Sequence, residues 1–386
     1  MTVPSRQRRL PNVGDGGRLL ACLAGLLFLG LAHANPLATA LETVLPHYRL
    51  LAADPTVQAA WQEPLPPFGS RKLEPGKPYP GLALLIRRLV ALGDLPAATP
   101  VPERYEGQVV DGVTAFQRRH GLEPDGVIGK DTLAQLNVPP SLRIRQIELN
   151  LERLQQLPFA SRMLLVNVPE FALRAYEQQE EKLRMKVIVG SARKTRTPLF
   201  AEDMRYLEFS PFWNVPPSIA RQETIPKLRH DPQYFDDQGF EFYGSPGGID
   251  TTLTEENLDA VLQGKLRIRQ RPGQKNALGG IKFVFPNSDN IYMHHTPATQ
   301  LFSKARRDFS HGCIRVEEPQ ALALFVLRNE PDWNEARILA AMKTGRSATL
   351  RLGEPIPVVI AYLTAVVAAD GRVQFLPDLY GLDELK

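Results

Sequence analysis

The spacing of apolar residues changes period near residue 160, and that change divides the chain. Before it the pattern is helical: Leu82, Leu85, Ile86 and Leu89 recur at helical spacing before Gly93, and Val109, Val113 and Phe116 do so before Gly121. Leu133 and Leu136 follow Asp131, a suitable cap, so residues 79–140 are expected to hold three short helices. A connecting helix is expected over 141–158, where Ile144, Ile147, Leu151 and Leu154 share one face and Pro158 ends the run. Beyond 160 the segments Met163–Val168, Phe171–Tyr176 and Lys182–Val189 alternate or run apolar between polar breaks, which predicts antiparallel strands. An insertion from about 210 to 280 carries Pro211, Trp213, Pro216, Pro217, Pro226 and Pro232, with a helical piece near Ser218–Leu228. A loop region of that length inside a compact domain reads as a cap. Strands resume at Ile281–Phe285 and Ile291–Met293 and run into His294 and His295.

The fold class is therefore α+β: a helical domain, then a β-rich, sandwich-like domain over 160–345 with an inserted cap, then a C-terminal strand tail over 346–386. Residues 35–78 are a Pro-rich lead-in, irregular or partly helical. Residues 1–34 read as a signal peptide, with four arginines, the apolar run Leu19–Leu31 and the small-x-small site Ala32-His33-Ala34. Thirteen apolar residues fall short of the roughly 20 that span a bilayer, so export to the periplasm is expected, with a membrane tether only if the signal stays uncleaved. The apolar core lies after Cys22 rather than before it, which argues against a lipid attachment site.

The composition, 43% hydrophobic and 23% charged over 386 residues, is globular. Of the formal net charge of +4, Arg6, Arg8, Arg9, Arg18 and Asp15 place +3 in the first 34 residues. What is left argues against a nucleic-acid partner.

Candidate chemistry gathers in Ser310-His311-Gly312-Cys313-Ile314-Arg315-Val316. Cys313 is the one cysteine outside the signal segment, so no internal disulfide accounts for it. A nucleophilic thiolate needs a base or positive field, and His311, His294 and His295 are the candidates. Gly312 lets the backbone turn sharply and aim successive N–H groups at one point, as an oxyanion hole requires. The rival readings are a buried small hydrophobe and a metal site built from His294, His295, His311 and Cys313. Successive side chains on a strand face opposite ways, which weighs against the metal, and no cofactor is expected. Arg315 reads either as a pocket cation for a substrate carboxylate or as a salt-bridge partner. Ser310, Tyr292 and Trp213 are candidate pocket residues, with core packing the alternative for the two aromatics.

Two resemblances carry this further. Val113-Thr114-Ala115-Phe116-Gln117-Arg118-Arg119-His120-Gly121-Leu122, with Asp125-Gly126-Val127-Ile128-Gly129 and Thr132-Leu133, closely resembles the three-helix peptidoglycan-binding module. That implies a wall-binding role, against the reading of a helical spacer. Tyr292-Met293-His294-His295-Thr296 followed by Ser310-His311-Gly312-Cys313-Ile314-Arg315 resembles the YkuD-type L,D-transpeptidase signature. Trp213-Asn214-Val215-Pro216-Pro217-Ser218-Ile219-Ala220, Arg271-Pro272-Gly273 with Asn276-Ala277-Leu278-Gly279, and Tyr362-Leu363-Thr364-Ala365 with Tyr380-Gly381 are similar to its large, capped subfamily, also called YcbB. The resemblance implies Cys313 as nucleophile and His294 as general base, with His295 orienting the base through its main-chain carbonyl. Backbone N–H groups around His311, Gly312 and Cys313 are implied as the oxyanion site. It further implies peptidoglycan stem peptides as substrates, carbapenem-type inhibitors, and transfer of a tetrapeptide stem to make 3-3 cross-links. Water or a lipoprotein lysine remains open as acceptor, and a non-catalytic wall-binding protein is the reading from another class.

Overall fold

The computed structural model describes residues 8–9, 35–68, 72–244 and 248–384. Apart from Arg8–Arg9, which pair with Ala201 and Phe200, the expected signal segment lies outside the described residues. No helix among the described residues is long and apolar enough to cross a membrane. The lead-in is more regular than its prolines suggest. Helix α1 (Pro36–Ala53) keeps Pro46 in its interior, because buried Leu41, Leu45 and Tyr48 hold it against its neighbours, and α2 (Pro55–Ala60) follows with the Asp54 carboxylate capping Thr56 and Val57.

Helices α3 (Leu82–Ala91), α4 (Gln108–Arg119) and α5 (Lys130–Leu136) bring Leu85, Leu89, Val113, Phe116 and Leu136 into one cluster. Asp131 is not the cap. Helix α5 starts at Lys130 after Gly129, which places Asp131 in the first turn, where its charge still suits the positive end of the helix. Gln117 fixes the loop before α5: its Nε2 donates to Val127 O and Asp125 Oδ1, and its Oε1 accepts from Gly126 N–H. Helix α6 (Pro140–Gln156) then leads to the sheet.

Alternation builds the sheet. Strands β1 (Arg162–Asn167), β2 (Ala172–Glu177), β3 (Glu180–Ile188) and β4 (Phe200–Phe209) come first. The insertion adds β5 (Trp213–Asn214), β6 (Phe240–Gly244), β7 (Ile249–Asp250) and β8 (Leu266–Gln270). Strands β9 (Ile281–Val284), β10 (Met293–His294), β11 (Ile314–Val316) and β12 (Ala348–Ala361) complete the main sheet. Its order is β4-β9-β10-β11-β3-β2-β1-β12, and β12 pairs back onto β4, so the strands close into a ring. Residues 348–361, expected within a strand tail, are thus the closing strand, parallel to β1 and antiparallel to β4.

Leu164, Val166, Leu173, Val358 and Ile360 face the largest hydrophobic cluster, while Met163, Leu165, Val359 and Ala361 face a second one under α1 and α6. Each Leu, Val, Ile or Met among them contributes about 1.5–3 kcal/mol on full burial, so both faces of these strands are held. Beyond β12 the hairpin β13 (Ala365–Val367) and β14 (Val373–Phe375) joins the helical region. There the fully enclosed Asp94 carboxylate accepts from Arg119 and from Arg372, each at 2.6 Å.

The insertion has its own core. Strands β5, β8, β6 and β7 form a separate four-stranded sheet, and Val215, Ile225, Leu228, Phe235, Phe242 and Ile268 pack among themselves. Its helical run, 217–230, contains a π-helical turn, Ala220–Thr224. Two joints tie its ends together. Ser210 N–H donates to Gly280 O at 2.8 Å, and buried Asn276 Nδ2 reaches the carbonyls of Pro211, Gln270 and Arg271 at 3.0–3.3 Å.

Candidate active site

Strands β10 and β11 run parallel, pairing Met293 with Ile314 and His294 with Arg315. Alternation sends Met293, Ile314 and Val316 into the core and leaves His294, Cys313 and Arg315 on the opposite side, where they line a cavity of about 820 Å³. Trp213, Ile219 and Glu223 from the insertion line the same cavity, with Ser310 and His311 from the loop before β11. His295 does not. It lines a neighbouring cavity of about 440 Å³, and its Nδ1 accepts from Gly280 N–H at 3.1 Å. The residues weighed for a metal site are thereby split between two cavities, and no group of three or more His, Cys, Asp or Glu among the described residues is placed to hold a metal ion.

His294 is buried, with Nδ1 2.6 Å from the main-chain oxygen of His295. A carbonyl only accepts, so the neutral ring carries its proton on Nδ1 and leaves Nε2 bare. Burial, then the positive charge of Arg315, pushes the His294 pKa down to about 3, so the ring is neutral at ordinary pH. Burial also raises the Cys313 thiol, while the neighbouring main chain and hydroxyl of Tyr292 and the charges of Lys282 and Arg315 pull it back. The resting pair is a neutral thiol and a neutral imidazole. Tyr292 sits beside it with its ring centroid 5.7 Å from that of His294 and is itself pushed up, by burial first and then by Cys313. Arg315 Nε is enclosed without a hydrogen-bond partner, and no carboxylate pairs with this residue among the described residues. Burial lowers its pKa, and the cavity is the open side on which its charge can find a partner.

The loop before Cys313 is braced from within and below. Ser310 Oγ donates to Cys313 O at 2.5 Å and accepts from Gly312 N–H at 3.1 Å. The Gly312 N–H, one of the three groups expected at an oxyanion site, is therefore already committed to Ser310. The N–H groups of His311 and Cys313 have no such partner among the described residues. Gly312 adopts φ +117°, and a Cβ there would meet Ile291 Cδ1 at 3.3 Å, so this position needs glycine. Thr195 Oγ1 donates to Ser310 O and Thr197 Oγ1 to Gly312 O, while the Tyr380 hydroxyl accepts from Thr197 N–H and donates to Gly190 O. Sequence reasoning placed none of Thr195, Thr197 or Glu223 at the site. They lie 88 to 115 residues from the loop residues they contact, and no local pattern marks them.

Residues 161–350 match the YkuD family, described as "L,D-transpeptidase catalytic domain". Residues 161–350, just under half of the chain, are thus similar to that family. Residues 79–136 match a second family, described as "Putative peptidoglycan binding domain", and hold α3, α4 and α5. The YkuD match contains the whole cavity lining and the insertion. A protein of Haemophilus influenzae, "Putative L,D-transpeptidase", is 33% identical over 244 residues, 62% of this chain and 48% of its own length. The chain thus spans about half the length of that relative. An L,D-transpeptidase from Mycobacterium smegmatis overlaps with a TM-score of 0.27 at 10% identity, covering 52% of this chain and 59% of that one. L,D-transpeptidase 3 from Mycobacterium tuberculosis, solved with a faropenem-derived adduct, overlaps at 0.25 and 11%, covering 52% and 60%.

Proposed function

We propose that this protein is an exported peptidoglycan L,D-transpeptidase of the large, capped kind, with Cys313 as nucleophile and His294 as general base. The observation that carries the proposal is that Cys313 shares a cavity with an imidazole whose Nδ1 is tied to a carbonyl, which leaves Nε2 as the free acceptor. The thiol proton passes to Nε2 of His294 as sulfur attacks the carbonyl of the diaminopimelate before the terminal D-Ala of a tetrapeptide stem. Burial disfavours the imidazolium so formed, and it returns the proton to the leaving D-Ala amine. The N–H groups of His311 and Cys313 hold the developing oxyanion, and Arg315 takes a substrate carboxylate. The amine of a second stem then resolves the thioester into a 3-3 cross-link. The helical domain, by its family, keeps the enzyme on the wall.

The test is mass spectrometry of products from disaccharide tetrapeptides. Dimers linked 3-3 are expected. Tripeptides alone would make water the acceptor, and unchanged substrate would overturn the enzymatic reading.

A further inference from the structure

Two histidines line the cavity, and they are anchored in opposite ways. His294 is buried with its Nδ1 on a carbonyl oxygen, whereas His311 is half-exposed with its Nε2 2.6 Å from Glu223 Oε1. Glu223 stands on the π-helical turn Ala220–Thr224 of the cap, a local irregularity of the kind that recurs where a helix presents a functional side chain. With its Nε2–H donating to the carboxylate, the neutral tautomer of His311 keeps a lone pair on Nδ1, which has no partner among the described residues. An imidazole oriented by a carboxylate on one nitrogen and bare on the other is the arrangement of a general base.

We propose that Glu223 and His311 form a second proton-handling pair that serves the acceptor amine of the second step, Glu223 as positioning residue and His311 as base. This rests on the reading of Cys313 as the residue that carries the thioester. The free amine attacks the thioester carbonyl: a C–N bond forms, the C–S bond breaks with its electron pair returning to sulfur, and the proton shed by nitrogen passes to His311 Nδ1. His294 already serves the first step, in which its Nε2, left free by the Nδ1 contact with His295 O, takes the thiol proton. The other charged side chains on the cavity are Lys194, Asp289 and Arg315, two cations and a carboxylate, and a carboxylate is a weaker base than imidazole. Because Glu223 belongs to the cap, the pair is assembled only when the cap sits over the loop, which ties aminolysis to cap closure while thioester formation draws on the sheet.

The experiment separates the two half-reactions. Thioester formation is followed by intact mass with a disaccharide-tetrapeptide donor, and aminolysis by adding increasing amounts of a second stem to the acyl-enzyme. In Glu223→Gln, kcat for aminolysis is expected to fall at least roughly tenfold further than the rate of thioester formation, with little change in the acceptor KM, and Glu223→Asp should recover part of the loss. In His311→Ala the extra loss in aminolysis is expected to be larger and to be partly restored by added imidazole. A raised acceptor KM with kcat intact would make Glu223 an ammonium-binding group and overturn the inference. Equal losses in both steps would assign the pair to the scaffold and overturn it as well. If the wild-type protein forms no thioester at all, it is the Cys313 reading that fails, and this inference goes with it.

Discussion

His294, Cys313 and Arg315 project from paired strands whose opposite faces are sealed into the largest hydrophobic cluster, while Trp213 and Glu223 reach the same cavity from a cap with a separate core. The two sides differ in what it would take to move them. Displacing a sheet-borne group means breaking strand pairing and opening the core, so its position is as stable as the domain. The cap hangs on the Ser210–Gly280 and Asn276 joints, and where it meets the catalytic loop it makes a half-exposed His311–Glu223 contact, of a kind worth roughly 1 kcal/mol or less. On the proposed reading, the groups of thioester formation are thus held rigidly, and the His311–Glu223 pair and the groups that orient a long substrate are held where opening is cheap.

The comparison breaks most visibly at the proposed nucleophile. Cys313→Ala should abolish the mass increase on incubation with a carbapenem, and 3-3 dimer formation with it, while the circular dichroism spectrum stays that of the wild type. Dimer formation by that variant would remove the sheet from the chemistry altogether. A step smaller, His294→Ala should slow thioester formation by roughly 10²-fold or more, the usual cost of losing a general base. His295→Ala should cost much less, because the oxygen that orients His294 belongs to the main chain and survives the substitution. The reverse ranking would put the base one residue later, on the cavity that His295 shares with the root of the cap.

On the cap side, Asn276→Ala removes the amide that reaches three carbonyls and leaves them without that partner, at about 1–3 kcal/mol of local stability. Cross-linking of muropeptides is expected to fall roughly tenfold, because a long substrate is oriented by remote contacts. Acylation by a carbapenem should fall far less, since a small activated carbonyl needs little positioning. Parallel losses in the two assays would mean that the insertion is part of the catalytic scaffold.

The same contrast governs what the sequence makes legible. Helices α3, α4 and α6 stand out because their apolar stripes are local, and β1 to β3 because they alternate or run apolar between polar breaks. The closing role of β12 is hidden: Gly353, Pro355 and Pro357 punctuate it, and its register with β4 shifts between Arg351 and Ile356. Helix α1 is obscured by Pro46, which tertiary packing overrides. In the cap, the strands are only two to five residues long, and most of their pairings span long separations, so they leave no periodic trace. At the site, His294, Gly312, Cys313 and Arg315 are readable because one short segment and one strand end carry them. Glu223 and the threonine hydroxyls under the loop are brought there only by the finished fold.

The smallest effect expected is on acid stability, and it tests whether the sheet side really holds a neutral imidazole. An unfolded chain protonates histidine near pH 6.5, whereas burial keeps His294 unprotonated in the fold down to about 3. Because the folded pKa lies below the unfolded one, the stability tied to this group is fully present above about pH 6.5 and is lost progressively as the pH falls toward 3. At pH 5.5, one unit below the unfolded value, the loss amounts to about 1.4 kcal/mol. His120, enclosed in the helical domain with Nδ1 2.8 Å from Phe116 O, is also held well below its ordinary value by burial, so the two regions lose stability with the same sign. Comparing wild type with His294→Gln isolates the sheet's share. Between pH 7 and 5.5 the melting temperature of the wild type should drop about 2–4 °C more than that of the variant. Parallel drops would mean that His294 already takes up a proton in the folded state, which is incompatible with a ring kept neutral by burial and able to relay the thiol proton through Nε2.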